Sequence, residues 1–470
     1  MTNKKKMLFH ILQVAFSNLS TIVSGVIIGF VIPKILSVEG YGLYKIFTLY
    51  ASYLGFCSLG IIDGIVLDYG GIDYEKIDRP LFRGFFQSYL IVNIVFSIVL
   101  AFVGVFFVGG RFGFILVMLA LDLIGLNISG YYQQISQITQ RFREFSIRKV
   151  LQSVANIINV GIMILVFLRY ESVEYSLYII LTVVVNLLLA GWYVYTYRDL
   201  SFGKTIDKKD LLAQVVSLIK KGFPLLFANL CSSLILSIDR QFVSILFPAK
   251  SYAVYAFAYN MLSLITIATS AIATVIYPYL KRLSAKEMKS TFTYLVSLML
   301  IIISAINVAY YPLACVVNWI LPNYQGSIPI FRIIFPGLTI SSVITIVFHN
   351  YYKSLGMSFS YFKKSVIILV LSCIANGVAY CCFKNMFSIS IASIITMIIW
   401  YCYVERWFIR HYEYKNTKNL IYLVSMMACF YLSTTFSGML YSCIIYCIGY
   451  ILLTGMFFRN QIVELLKKRK

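Results

Sequence analysis

The chain has 470 residues, of which 60% are apolar and only 12% charged, and its formal net charge is +22. Soluble domains run nearer half apolar and a quarter charged, so no soluble fold could cover this much apolar surface and a bilayer must do so. The positive charge does not mark a nucleic-acid binder, because Lys and Arg form no contiguous stripe and sit in short clusters between apolar runs.

The chain opens with Met1 to Lys6 and an apolar stretch reaching Leu36. That stretch is too long for the core of a signal peptide, and no small-x-small cleavage site follows, so we expect an uncleaved first span. A helix needs roughly 20 apolar residues to cross the hydrocarbon core. Runs of that kind place spans at 11–36, 44–63, 87–108, 112–131, 149–168, 176–197 and 222–247. They continue at 252–277, 291–311, 327–349, 361–382, 386–408, 417–437 and 439–458. The expectation is an all-α integral membrane protein of about 14 transmembrane helices.

Placing the N-terminus in the cytoplasm and alternating sides tests that count. Inner connections then hold Lys4, Lys5 and Lys6; Lys76, Arg79 and Arg83; Arg141, Arg143, Arg148 and Lys149; and the basic run from Arg198 to Lys221. The second half adds Lys281, Arg282, Lys286 and Lys289, then Lys353, Lys363 and Lys364, then Arg406, Arg410, Lys415 and Lys418, and a basic C-terminal tail. Every connection obeys the positive-inside rule with both termini cytoplasmic, and one missed helix would invert half the pattern. The longest loop, Arg198 to Ala213, leaves no room for a soluble catalytic domain.

An internal repeat is visible. At one constant offset Phe16 matches Phe227, Asn18 matches Asn229, Leu19 matches Leu230, Tyr41 matches Tyr252 and Tyr44 matches Tyr255. A weaker register pairs Phe142 with Phe359, Phe145 with Phe362 and Asn159 with Asn376. An even number of spans separates the copies, which gives parallel topology. We therefore expect two pseudo-symmetric six-helix lobes, 1–198 and 222–410, joined by a cytoplasmic linker at 199–221. A terminal helix pair with a basic tail, 411–470, follows.

A charged group at membrane depth costs roughly 2.5–3.5 kcal/mol on insertion scales, so each one needs a reason. Asp122 lies near the middle of span four and reads either as a proton or cation relay, as a partner to an intramembrane Arg or Lys, or as a packing acid. Asp239 and Arg240 lie deep in span seven; neighbours on a helix point about 100° apart, so they do not simply pair with each other. Arg240 is a candidate anion contact, since its fork matches phosphate oxygens, with snorkelling to the interface as the alternative. Lys34, Lys45 and Arg332 also fall towards the outer half and break the positive-inside bias. With Arg240 they point to a cationic cavity for a phosphate-bearing substrate, against ordinary headgroup contact. Intramembrane amides (Asn127, Asn156, Asn159, Asn186, Asn229, Asn260 and Asn376) are expected to bond between helices. The ten Cys form no CxxC pair, and with only three His they read as small packing residues rather than metal or redox groups. Gly-rich phosphate loops, HExxH and GxSxG are absent from the sequence.

Two stretches carry a family resemblance. Val31 to Gly64 contains Pro33, Lys34, Leu36, Glu39, Gly40, Tyr41, Gly42 and Tyr44, a Pro-basic-x-Leu turn with an acidic connector and a Gly/Tyr opening of span two. Gly222 to Tyr259 contains Gly222, Pro224, Asp239, Arg240, Tyr255 and Ala258. The chain resembles polysaccharide flippases of the Wzx type, in the multidrug/oligosaccharidyl-lipid/polysaccharide exporter superfamily. The resemblance implies two six-helix lobes around a central cavity plus two further helices. It implies movement of an undecaprenyl-pyrophosphate-linked oligosaccharide, an O-antigen (lipopolysaccharide) or capsule repeat unit, across the bacterial inner membrane by alternating access. No cofactor is expected; coupling would be to H+ or Na+ or to the membrane potential. Expected partners are the lipid-linked glycan, membrane lipids, and a polysaccharide polymerase with its chain-length machinery. By position Lys34 and Arg240 fall to substrate or gate, and Lys45 lies beside that motif. The chain departs from the pattern at Asp68, where the family often has a basic residue after span two. The alternatives are a multidrug/cation antiporter of the same fold, and a membrane polymerase or ligase, which would need a sizeable outer loop that is missing here.

Overall fold

The computed structural model describes residues 3–280, 283–412, 417–436 and 438–467. Lys281, Arg282, Lys415 and the last three residues of the basic tail lie outside the described residues, as do the side chains of Lys4, Lys5 and Lys6. The described chain is helical with no strand. It forms two compact units, Met1–Leu230 with Pro248–Ala253, and Cys231–Phe247 with Val254–Lys470.

In the first unit α1 (Asn3–Ile35) is followed by a bent second span. Ser37 caps α2 (Val38–Ala51), a 3-10 turn follows at Leu54–Ser58, and α3 (Ile61–Tyr69) leaves at 57°. Leu59 and Gly60 make the bend with φ of 51° and 83°, a left-handed step that glycine takes without strain. Then come α4 (Arg79–Val103), α5 (Gly110–Ile138), α6 (Phe142–Tyr170), α7 (Tyr175–Thr196) and the short α8 (Arg198–Ser201). Helix α1 packs along α6, α4 against α5, and α5 against α7. Helix α9 (Lys208–Ile235) starts well before the predicted 222, so much of the expected linker is helix. A wall of rings fills the space between α4, α5 and α7: Phe86, Tyr89, Tyr131, Tyr132, Tyr193 and Tyr197, with Tyr132 and Tyr197 stacked at 5.2 Å.

The connections sort to opposite ends, as an alternating topology requires. At one end Asp199 accepts from Tyr74 (2.8 Å) and pairs with Arg79 (3.2 Å), while Arg141 lies over the rings of Tyr74 and Tyr197 at 4.3 and 4.9 Å. The connections after spans two, four and six meet there. At the other end Arg111 pairs with Glu39 at 2.5 Å, and Tyr175 packs edge-on against Phe114. Those residues belong to the connections after spans one, three and five.

The second unit holds α10 (Ile238–Leu246), most of α11 (Ala249–Leu280), α12 (Ala285–Ile306) and α13 (Tyr310–Ile320). The predicted span ten is α14 (Ser327–Ile334) bent by 45° into α15 (Gly337–Ser342), a π-helical stretch Val343–Phe348 and α16 (His349–Ser354). The chain ends with α17 (Ser358–Phe383) paired to α18 (Met386–Tyr412), and α19 (Thr417–Ser433) paired to α20 (Met439–Lys467). Exposed Phe106, Leu165, Ile374 and Leu452 line the outward faces, as a lipid-facing bundle requires.

Among the described residues 10 helices are long and apolar enough to cross a membrane, or up to 12 with the two bent pairs. The number fourteen is thus not reached by that measure. The two other predicted spans coincide with α11, part of whose side chains lie outside the description, and with α19, which has 17 residues. The protein is a multi-pass, all-helical membrane protein.

Candidate functional site

In the second unit the site begins with a broken helix. Span seven does not run unbroken to 247: α9 stops at Ile235, and α10 restarts at Ile238 after Ser237 turns out of the helix (φ −134°). A helix end leaves carbonyls unsatisfied and negative, and a helix start leaves N–H groups unsatisfied and positive. The adjacent Asp239 and Arg240 answer these two demands separately. Arg240 reaches back and donates to the Leu236 carbonyl at 3.1 Å, while Asp239 sits in the first turn of α10 and accepts from the Arg240 backbone N–H at 2.8 Å. Asp239 is 2% exposed and accepts from the Tyr255 hydroxyl at 2.7 Å and from that of Tyr259. Ser390 of α18 donates to Tyr255 at 3.2 Å. The Arg240 guanidinium lies over the Tyr259 ring at 4.7 Å. The two residues therefore share Tyr259, one at its hydroxyl and the other at its face, and form no ion pair with each other.

Asp122 belongs to the first unit. It is buried in α5 and accepts from Asn186 Nδ2 of α7 at 2.7 Å; Asn186 in turn accepts from Gln152 Nε2 of α6 at 3.0 Å. No ion pair to Asp122 is found among the described residues, so it is held by amides and not by an intramembrane Arg or Lys. Tyr44 of α2 is its electrostatic neighbour and packs edge-on against Tyr178 at 4.8 Å. Lys45 lies beside the rings of Tyr41 and Tyr44, at 5.3 and 5.6 Å, so Lys45 and Asp122 flank one tyrosine.

The other two predicted residues stand apart. Lys34 is exposed in the last turn of α1, next to Pro33. Arg332 is half-buried in the last turn of α14 with Tyr310 and Tyr431 as electrostatic neighbours. Neither shares a contact with another predicted site residue of its own unit.

Of the expected interhelical amides, Asn127 bonds Asn93 (2.5 Å) and the Leu54 carbonyl (3.0 Å), and Asn376 accepts from Ser393 at 3.1 Å. Asn159 Nδ2 is buried without a partner. Sequence reasoning missed Arg148, counted among the basic residues of an inner connection. The structure buries it in the second turn of α6. The signal was present: Arg148, Gln152, Asn156 and Asn159 recur at helical spacing along α6.

Residues 10–284 match the family model described as polysaccharide biosynthesis protein. Among solved structures, a lipid II flippase MurJ in an inward closed conformation matches with a TM-score of 0.72 at 13% identity, over 97% of this chain and 100% of that one. An inward-facing multidrug resistance MATE family transporter of the MOP superfamily matches with a TM-score of 0.58 at 13% identity, over 86% and 98%. A MATE transporter of Vibrio cholerae gives 0.57 at 12% identity, over 88% and 97%. At these identities the likeness is one of fold. No curated protein sequence matches the chain.

Proposed function

Since the family model matches more than half of the chain, the protein belongs to the polysaccharide biosynthesis protein family, and from that membership we propose that it is a flippase for a lipid-linked oligosaccharide. The cargo is an undecaprenyl-pyrophosphate-linked repeat unit of O-antigen or capsule, moved across the bacterial inner membrane with both termini in the cytoplasm. Transport proceeds by alternating access, and the terminal pair is an addition to the two six-helix lobes. The protein moves its cargo without making or breaking covalent bonds, and a polymerase with its chain-length machinery takes the product.

The observation that carries this reading is Arg240, a guanidinium placed at a helix break inside a membrane bundle, donating to the Leu236 carbonyl and resting on the face of Tyr259. Discontinuous helices recur where transporters hold polar cargo. A guanidinium fork offers paired donors to phosphate oxygens. Lys34, Lys45 and Arg332 supply further positive charge for binding or gating, and Asp239 fixes the tyrosine on which Arg240 rests. Asp122, buried and held by the Asn186 amide, is the group on which an H+ or Na+ gradient acts.

Arg240→Ala should abolish surface polysaccharide in a cell that depends on this protein, with lipid-linked precursor accumulating on the inner leaflet while the protein still inserts. Arg240→Lys should recover only part, because an ammonium cannot bind bidentately. Normal surface glycan in Arg240→Ala would remove this residue from the site. The second reading, a multidrug/cation antiporter, is favoured by one observation, the buried acid Asp122. Drug resistance conferred without any change in surface glycan would select it.

A further inference from the structure

The terminal helix pair carries a cleft that the reading above does not use. Helix α20 does not run straight to its end: Phe458 leaves helical geometry (φ −126°, ψ 21°) and kinks it. The Phe458 ring is buried there and packs edge-on against Tyr422 of α19 at 4.8 Å. Tyr422 is tied to α20 by a hydroxyl bond with Thr454 Oγ1 at 3.0 Å. Lys418, one turn before Tyr422, sets its ammonium 5.0 Å from the centre of the same Phe458 ring. Beside this kink opens a cleft of about 270 Å³, lined by Lys418, Met456, Phe457 and Arg459.

Two cations thus share a small cleft with two apolar side chains. Lys418 and Arg459 are both exposed, and neither forms an ion pair among the described residues. The terminal pair has little to offer them: from Thr417 to Lys470 the sequence holds one acid, Glu464, against six basic residues. Like charges held close repel, so an anion from outside the chain stabilises this arrangement.

The surface next to the cleft says what else that anion carries. An exposed apolar row leads away from it along α20 through Met456, Leu452, Ile448 and Ile444. Residues four apart stand one above another on a helix, so the row is about 18 Å long. That length runs through one leaflet of a hydrocarbon core about 30 Å thick. A phosphate at the head of a leaflet-long apolar row is the outline of a phospholipid.

We propose that the cleft between Lys418 and Arg459 binds the phosphate headgroup of an anionic membrane phospholipid, with an acyl chain along Met456, Leu452, Ile448 and Ile444. This lipid is a resident of the bilayer and not the cargo. The leaflet is the inner one by the topology proposed above, and Lys467, Lys468, Arg469 and Lys470 add to the attraction of the same surface.

The test is native mass spectrometry of the purified full chain with phosphatidylglycerol, phosphatidylcholine and a short-chain polyprenyl phosphate, and with inorganic phosphate as a competitor. The wild type should hold phosphatidylglycerol at least tenfold more tightly than phosphatidylcholine, which carries no net charge. Lys418→Gln and Arg459→Gln should each weaken phosphatidylglycerol about fivefold, and the double variant by tenfold or more. Both side chains are exposed, so the variants should fold, and Lys418→Arg with Arg459→Lys should keep the affinity. Equal binding of the two phospholipids, or full phosphatidylglycerol affinity in the double variant, overturns the site. Preference for the polyprenyl phosphate would assign the cleft to the carrier lipid and overturn a resident one. Displacement by inorganic phosphate at equal concentration would leave an anion site without a lipid, and overturns it too. The measurement needs no cargo, so failure of the flippase reading leaves the site standing, and loss of the site leaves that reading standing.

Discussion

Asp239, Arg240 and Asp122 are three ionisable side chains inside apolar helices, held by hydroxyls, a carbonyl, a ring face and an amide. Asp239 rests on two tyrosine hydroxyls, Arg240 on a carbonyl and a ring face, and Asp122 on the Asn186 amide. Hydroxyls and amides stabilise a charge without cancelling it, which suits groups that must change partner or proton during a cycle. For Asp122 this separates two roles. Asp122→Asn keeps an oxygen that can accept from Asn186, so the fold should tolerate it with a melting midpoint near that of the wild type. Transport driven by an imposed H+ or Na+ gradient should fall several-fold if this acid carries the coupling. Transport that keeps its full response to the gradient would return Asp122 to a packing role. The carboxylates and cations themselves were legible from sequence, because a charge in an apolar run is conspicuous. Their partners were not: Tyr44, Tyr255, Tyr259 and Gln152 are ordinary residues until the chain brings them within reach.

Single elements show the same limit in a different form. A window of apolar residues reports length and not direction, so span two, span seven and span ten all read as plain crossings. The structure bends the first at Leu59–Gly60, breaks the second at Leu236–Ser237 and bends the third beside Pro336. Gly60 and Pro336 were visible hints, whereas nothing in Leu236–Ser237 forbids a helix. The bend in span two is held by a close crossing inside the first unit. A Cβ on Gly222 of α9 would stand 2.0 Å from the Gly60 carbonyl, and one on Gly64 would stand 2.4 Å from that of Leu218. These are backbone contacts, which cannot rotate away. The neighbouring Lys221–Asp68 pair at 2.7 Å is half-exposed at its lysine, and an exposed pair of that kind contributes at most about 1 kcal/mol. Gly222→Ala should therefore destabilise the protein by about 1–3 kcal/mol, the range for overpacking. Gly161→Ala in α6, where a Cβ meets nothing within 4 Å, should be neutral or stabilising by up to about 1 kcal/mol. Thermal unfolding of the two variants in detergent compares them directly. Equal midpoints would mean that the α3–α9 crossing is looser than its geometry.

At the scale of the molecule, topology is a parity problem: each added or lost crossing exchanges the two sides for every connection that follows. The sequence solved it through charge, since a basic cluster at alternate connections is a pattern that one miscounted helix destroys. The first unit meets the same condition from geometry alone, with Asp199, Arg79, Tyr74 and Arg141 gathered at one end and Glu39 and Arg111 at the other. Geometry does not say which end faces the cytoplasm; the positive-inside rule assigns it by the denser basic end. It leads to a prediction that spans the chain. In a background with the ten native cysteines replaced, Arg143→Cys and Lys204→Cys should react with a membrane-impermeant thiol reagent only after the cells are opened. Arg111→Cys, after span three, and Lys384→Cys, in the exposed left-handed turn between α17 and α18, should react in intact cells. Lys384 is the sterner test, because five further crossings separate it from Lys204 only if every span between is real, bent ones included. Labelling of Lys384→Cys from the inside, with Arg111→Cys still labelled from the outside, would mean that the bent tenth span or α11 does not cross. The alternating pattern would then hold for the first unit alone.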